Sequence, residues 1–294
     1  MSDEKYLFSE TFLKDLDNLR ENNREKKKTN NSINSFAEFF RDIEGEVIIT
    51  KEEKPCGENY PHGFYDGVML QPDRFHKIKE SKESKEYNII FLGEGEEIEY
   101  EGTTLLELNA EKVDEIWKEY SKTMSCDIKK GDRILWEKIL YQFDLPSRNI
   151  IIEDYYLFWH KEYVKNSLIP IIEWLKPFNK GNFIIISNDG NRWSEKIKNI
   201  IENKFPEKIF EYIIYEGHSD SKEHDRRILS SFHSITIPVG IGNLPEGDRA
   251  KVQTEPSVRS ILGTANARET FFNRKKYFFE KIQDARKKGI SSRA

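Results

Sequence analysis

Between His218 and Gly242 the chain reads HSDSKEHDRRILSSFHSITIPVGIG, a stretch that holds three of its six histidines. His224 and Arg226 stand at the entry to an apolar, strand-like run. Their i, i+2 spacing puts both side chains on one face of an extended segment. An imidazole so placed can attack phosphorus or donate a proton, while a guanidinium holds the non-bridging oxygens through paired N–H groups. Lys222 and Arg227 add positive charge on either side. Two other chemistries fit the same residues. His218, Asp220, His224 and Asp225 are ligand types for zinc or manganese. Lys222, Arg226 and Arg227 oppose a cation there, so phosphate chemistry ranks first and no metal or cofactor is expected. Alternatively His224 and Asp225 cap a turn and the arginines pair with Glu223 and other surface acids, as charged runs in solvated faces do.

The segments before this stretch must position it. Asn149–Ile152, Gly181–Ile186 and residues 209–215 are apolar runs of strand length. Helical patterns separate them, one through Leu168, Ile171, Ile172 and Leu175 and one over 191–204. Strand and helix in alternation predict a parallel α/β layer, whose ligands sit beyond the carboxyl ends of the strands. Glu153, Asp154, Tyr155 and Tyr156 follow the first strand, with His160 close by; Ser187, Asn188 and Asp189 follow the second; His218–Arg227 follows the third. The expected site is therefore one open groove. In it His224, Asp154 and Arg226 carry any catalysis, and Lys222, Arg226, Arg227 and Asn188 hold phosphate.

The first half has a different grammar. Phe8, Phe12, Leu13, Leu16 and Leu19 predict a helix within residues 6–28, and Ser35 with Glu38 forms a capping box for a second that stops at Gly45. Val47–Ile49, Gly67–Leu70, Tyr87–Leu92 and Glu97–Tyr100 read as strands of a small antiparallel sheet over 46–102. Helices are expected over Asn109–Lys122 and Asp132–Tyr141. Tyr60, His62, Tyr65 and His76 suggest no second site, since nothing pairs them. Pro146 marks the expected boundary between an α+β domain (1–146), to which no role attaches, and an α/β domain (147–294).

Of the 294 residues 13% are aromatic, too many for a disordered chain. Cys56 and Cys126 share no metal-type spacing and read as reduced thiols of a cytoplasmic protein. No apolar run is long enough to span a membrane, and the acidic start MSDEKYLFSE does not read as a signal peptide. Within the net charge of −5, residues 268–293 carry nine Lys or Arg against three Asp or Glu. Phe271, Phe272, Phe278, Phe279 and Ile282 make an apolar stripe there, ringed by cations. The tail can thus meet nucleic acid or an anionic surface, or be a C-terminal helix packed on its own domain.

The run Ile150–Tyr155, followed two strands later by His224-Asp225-Arg226 opening an apolar strand and a Gly-containing turn, resembles the phospholipase D-like fold over residues 148–262. The similarity is nearest to the C-terminal domain of MIT-domain proteins. In active phospholipase D-type enzymes the motif is His-x-Lys-x4-Asp, used twice, with one histidine as nucleophile and the other as general acid. Here Arg226 replaces the Lys, Ser231 stands at the Asp position, and Gly240-Ile241-Gly242-Asn243 is similar to the Gly-Ser-Asn segment that follows. The resemblance implies a phosphate-binding fold without catalysis, like the MIT-type relatives, which bind membranes and partner proteins. The leading reading of the residues is a non-catalytic module that engages a phosphate-bearing polymer, nucleic acid first, within a larger assembly, and the Lys/Asn/Ile-rich composition suits a bacterial one. With one motif per chain, the competing enzyme reading needs a homodimeric phosphodiesterase or nuclease with His224 as nucleophile. A third reading is a protein-binding adaptor with a structural histidine cluster.

Overall fold

The computed structural model describes residues 5–9, 12–16, 18, 46–50, 89–91, 107–108, 119–122, 124–145, 147, 149–179, 181–188, 194–215, 226–242, 244–246 and 248–293. The chain divides into two compact units, Met1–Lys122 with Leu262–Arg268, and Thr123–Ile261 with Glu269–Ala294. The break therefore falls before Pro146. Residues 124–145 belong with the second unit because β5 (Met124–Ser125) pairs with β13 (Ser257–Ser260) and Trp136, Ile139 and Leu140 enter its core.

In the first unit, β1 (Lys5–Ser9), β2 (Glu46–Thr50), β3 (Ile89–Phe91) and β4 (Glu107–Leu108) form a sheet in the order β2-β1-β3-β4. Every pairing in it is parallel. Two expectations change. The helix predicted from residue 6 is displaced at its start by β1, into which the contiguous run Tyr6-Leu7-Phe8 extends; residues 12–16 are helical, and Phe12, Leu13 and Leu16 are buried. The sheet expected to be antiparallel is parallel. The long connections from Ser9 to Glu46 and from Thr50 to Ile89 have the length a crossover needs, not that of a hairpin. The helix capped by Ser35, the strands at Gly67–Leu70 and Glu97–Tyr100, and Tyr60, His62, Tyr65 and His76 lie outside the described residues. The helix expected over Asn109–Lys122 is described only at its end, where residues 119–120 are helical.

The second unit is built on an eight-stranded mixed sheet in the order β14-β8-β7-β6-β9-β10-β13-β5. β6 (Ile150–Asp154), β7 (Asn182–Asn188) and β8 (Ile209–Tyr215) are parallel neighbours, as their unbroken apolar runs predict. β9 (Arg226–Leu229) lies antiparallel beside β6, followed by β10 (His233–Thr236). β14 (Ser291–Arg293) closes the other edge against β8. A two-stranded ribbon of β11 (Pro245–Glu246) and β12 (Arg249–Ala250) stands apart. The helices are α1 (Trp136–Ile139), α2 (Lys161–Tyr163) running through a π turn at Val164–Leu168 into α3 (Ile169–Leu175), α4 (Ser194–Lys204) and α5 (Ala265–Lys287). The π turn has a local cause. Pro170 has no N–H to offer the Asn166 carbonyl, to which the Trp136 indole donates instead (3.5 Å).

The sheet's two faces differ in chemistry. Ile150, Ile152, Phe183, Ile185, Phe210, Tyr212, Ile228 and Ile235 share one face by register and pack with Leu168, Ile172, Ile197 and Ile201 in a single core. Each such side chain contributes about 1.5–3 kcal/mol when buried. The other face carries Glu153, Glu211, Arg227 and Ser234 among its isoleucines, and α5 lies against it. No helix among the described residues is long and apolar enough to cross a membrane.

Candidate functional site

Asp154 ends β6 directly opposite Arg226, the first residue of β9, so their side chains share a face of the sheet. The Asp154 carboxylate is 1% exposed. Its Oδ1 accepts the Tyr156 N–H (2.9 Å) and its Oδ2 the Gly242 N–H (3.0 Å). Burial pushes the pKa of this carboxyl upward. The N–H groups of Gly242 and Tyr156, the Arg226 charge and the Ile241 N–H offset that only in part. The carboxylate thereby pins the turn after β10 over the end of β6. Gly240 in that turn has φ +95°, and a Cβ on it would lie 3.0 Å from Arg226 Nε and 3.2 Å from Asp154 Oδ2. A Cβ on Gly242 would meet the Tyr163 ring at 2.7 Å. Gly240 is required by how closely this turn approaches the pair, and Gly242 by its approach to the Tyr163 ring.

Arg226 is half-buried. Its Nη1 donates to the Pro238 carbonyl (2.5 Å), its guanidinium carbon lies 5.8 Å from the centre of the Tyr156 ring, and its buried Nε has no hydrogen-bond partner. One side of the guanidinium is thus fixed by the turn and the ring, and donors remain for another acceptor. Tyr163 closes the cluster from α2. Its phenol pKa is raised by burial and then by the negative charge of Asp154.

Asn188 and Arg227 do not join this group. Glu153 pairs with Ile186 on β7 and with Arg227 on β9, so Glu153, Arg227 and Asn188 occupy the opposite face from Asp154 and Arg226. A shift of one residue along a strand reverses the face. The single groove expected to hold Asp154, Asn188, Arg226 and Arg227 is therefore split by the sheet itself. Arg227 lies 5.5 Å from the centre of the Tyr277 ring on α5. Lys222 and His224, with the rest of His218–Asp225, lie outside the described residues. Ser231, at the motif's Asp position, is 3% exposed; its N–H donates to Ser147 Oγ (2.9 Å), and the two hydroxyls are 3.1 Å apart.

The basic tail is partly spent on the fold. Lys281 donates to Glu153 and to the Tyr277 hydroxyl (3.0 Å), and sits over the Tyr215 ring. Burial alone lowers the pKa of that ammonium, but the charge and hydrogen bond of Glu153, with Tyr277, hold it above its ordinary value. Arg286 makes two 2.7 Å bonds to the fully buried Glu211, whose Oε1 also accepts the Ser291 hydroxyl (2.7 Å). Arg274 donates to Ser234 Oγ (3.0 Å), and Arg268 is itself buried, donating to the Gly263 carbonyl (2.6 Å). Phe271, Phe278 and Ile282 are buried as the stripe predicts. Lys276, Lys287 and Lys288 are exposed.

Sequence reasoning missed the internal partners. The signal was there for Glu211, a lone carboxylate inside the run Ile-Phe-Glu-Tyr-Ile-Ile-Tyr. It was weak for Glu153 and Asp154, which read as residues after a strand but form its buried end. Among the described residues, no group of three His, Cys, Asp or Glu side chains is placed to hold a metal ion. Compared with protein-family models and with curated proteins, the chain matches none.

Proposed function

We propose that the second unit is a non-catalytic, phospholipase D-like phosphate-binding module that engages nucleic acid within a larger assembly. The observation that carries this reading is Arg226: a half-buried guanidinium at the carboxyl edge of the parallel strands, held on one side and with donors to spare. A guanidinium oriented in this way is suited to non-bridging phosphate oxygens. The Asp154 carboxyl beside it is already engaged by the N–H groups of Tyr156 and Gly242. Support for the absence of catalysis is Ser231, which supplies no carboxylate to orient an imidazole and is engaged with Ser147. His224 and Lys222 precede Arg226 in the chain and are the further phosphate ligands of this reading.

Fluorescence anisotropy of labelled DNA and RNA against the full chain, over a salt series, tests it. Affinity should fall with salt, and Arg226→Ala should weaken binding and lower the salt slope on duplex DNA by about 0.9, the value of one phosphate contact. Absence of binding to any nucleic acid at low salt refutes the proposal. Metal-independent cleavage that disappears in His224→Ala would replace it with the phosphodiesterase reading.

A further inference from the structure

A groove of about 740 Å³, open to solvent, runs between α1 and the helical segment that passes through the π turn into α3. Leu135, Trp136, Pro170 and Trp174 line it. Trp136 donates its indole N–H to the Asn166 carbonyl (3.5 Å), and Trp174 donates its own to the Leu140 carbonyl (3.3 Å). With both polar tips spent on the backbone, the indoles offer the groove apolar surface only. Charges stand around this lining, and most are matched. The Arg133 guanidinium lies 3.7 Å from the Asp248 carboxylate, Lys165 3.4 Å from Glu162 and Glu173 3.0 Å from Lys204. Glu137, exposed in the first turn of α1, has no counterion among the described residues. The unmatched charge of the groove is therefore one carboxylate. Asn166 lines the groove as well, and among the described residues its side-chain amide hydrogen-bonds to nothing. It sits in the π turn, an irregularity that recurs at functional sites.

We propose that this groove docks an extended peptide segment of a partner protein, one that carries a bulky apolar side chain close to a Lys or Arg. The apolar side chain packs against Trp136, Pro170 and Trp174, the basic one meets Glu137, and Asn166 pairs with the peptide backbone. A side-chain amide holds a donor and an acceptor in one plane, so it can take the C=O and N–H of a peptide together. The volume lies in the range of ligand sites, roughly 300–1,000 Å³, but those sites cover most of a small ligand's surface. A groove open to solvent suits a chain that continues beyond it. Burial of a Leu- or Phe-sized side chain is worth roughly ten- to a hundredfold in affinity, whereas an exposed ion pair gives at most about fivefold. The apolar contact therefore sets the affinity, and Glu137 selects among apolar sequences. The groove shares no residue with the Arg226 site, so this proposal stands apart from the phosphate reading.

A random linear peptide library displayed on phage and selected against the immobilised full chain tests this. Enriched sequences should share a large apolar residue near a Lys or Arg. A selected sequence is then made as a labelled peptide and its affinity read by fluorescence anisotropy. Changing its apolar residue to Ser should cost roughly tenfold or more. Glu137→Gln should weaken binding by roughly two- to fivefold, Glu137→Lys by more, and Asn166→Ala by roughly fivefold, the value of one net hydrogen bond. Neither side chain has an intramolecular partner to lose, and nucleic-acid binding should be unchanged in these variants. On the unsubstituted protein, changing the peptide's basic residue to Glu should weaken binding as Glu137→Lys does, a readout that stands even if a variant fails to fold. No enriched sequence, enrichment of acidic sequences, or binding that ignores both Glu137→Lys and Asn166→Ala overturns the proposal and leaves the phosphate reading intact. Self-association of the chain in sedimentation, abolished by Glu137→Lys, would overturn it by giving the groove to a second copy.

Discussion

Glu211 offers the sharpest test of how the second unit is held together. It sits in the middle of β8 with no exposure, and Arg286 of α5 reaches it through two hydrogen bonds of 2.7 Å. Removing one partner of a fully buried pair costs about 3–5 kcal/mol, because the remaining charge is left uncompensated. The Arg286 side chain is 32% exposed, so water can partly replace it, and the Ser291 hydroxyl still donates to Glu211. Arg286→Ala should therefore cost about 2–3 kcal/mol, a fall in Tm of about 5–10 °C for a unit of this size. Replacing both partners by apolar residues, Glu211→Leu with Arg286→Met, should restore most of the loss, since neither charge is then buried alone. Two units need not unfold in one step. Hydrogen exchange read at the amides of β8 and α5 assigns the change to the right unit. The reasoning fails if Arg286→Ala leaves those amides as protected as before, or if the double variant is as unstable as the single one.

Asp154 should make stability depend on pH with an unusual sign. Its folded pKa is raised above the ordinary 3.8, so the folded state binds its proton more tightly than the unfolded chain. Its contribution to stability falls as pH rises from that ordinary value through the raised one, and lies at its lower level above it. Urea titrations of the wild type across that window should show the decline, and Asp154→Asn should flatten it; an unchanged profile counts against the burial argument. Gly240→Ala and Gly289→Ala should separate two causes in thermal melts. Gly289 has φ +69° with open space around it, so only the backbone term of about 1–2 kcal/mol applies. Gly240 adds crowding against Arg226 and Asp154, so its variant should be the less stable of the two by a further 1 kcal/mol or about that. Equal losses would mean that the turn yields freely.

The second unit was more legible than the first because its signals are redundant. Ile150–Ile152, Phe183–Ile186 and Ile209–Tyr215 are unbroken apolar runs, and the helical patterns between them leave few arrangements other than parallel neighbours. In the first unit, Tyr6-Leu7-Phe8 fits a strand and a helix stripe equally well, and the choice fell to pairing with Glu46–Thr50 and Ile89–Phe91. The direction of that pairing is likewise a tertiary fact, since apolar alternation looks the same in either sense.

The sequence by itself determined the residue types at the strand ends, the three parallel strands of the larger sheet and the buried stripe of the last helix, because each is a local pattern with its own period. Only the tertiary structure decided which side of the sheet each polar residue takes. Register set Asp154 opposite Arg226 and sent Asn188 and Arg227 through to the far face. The docking of α5 then turned Lys281 and Arg286 from free cations into partners of buried carboxylates. Charge is a property of a residue, but its availability to a ligand depends on what the fold has already placed against it.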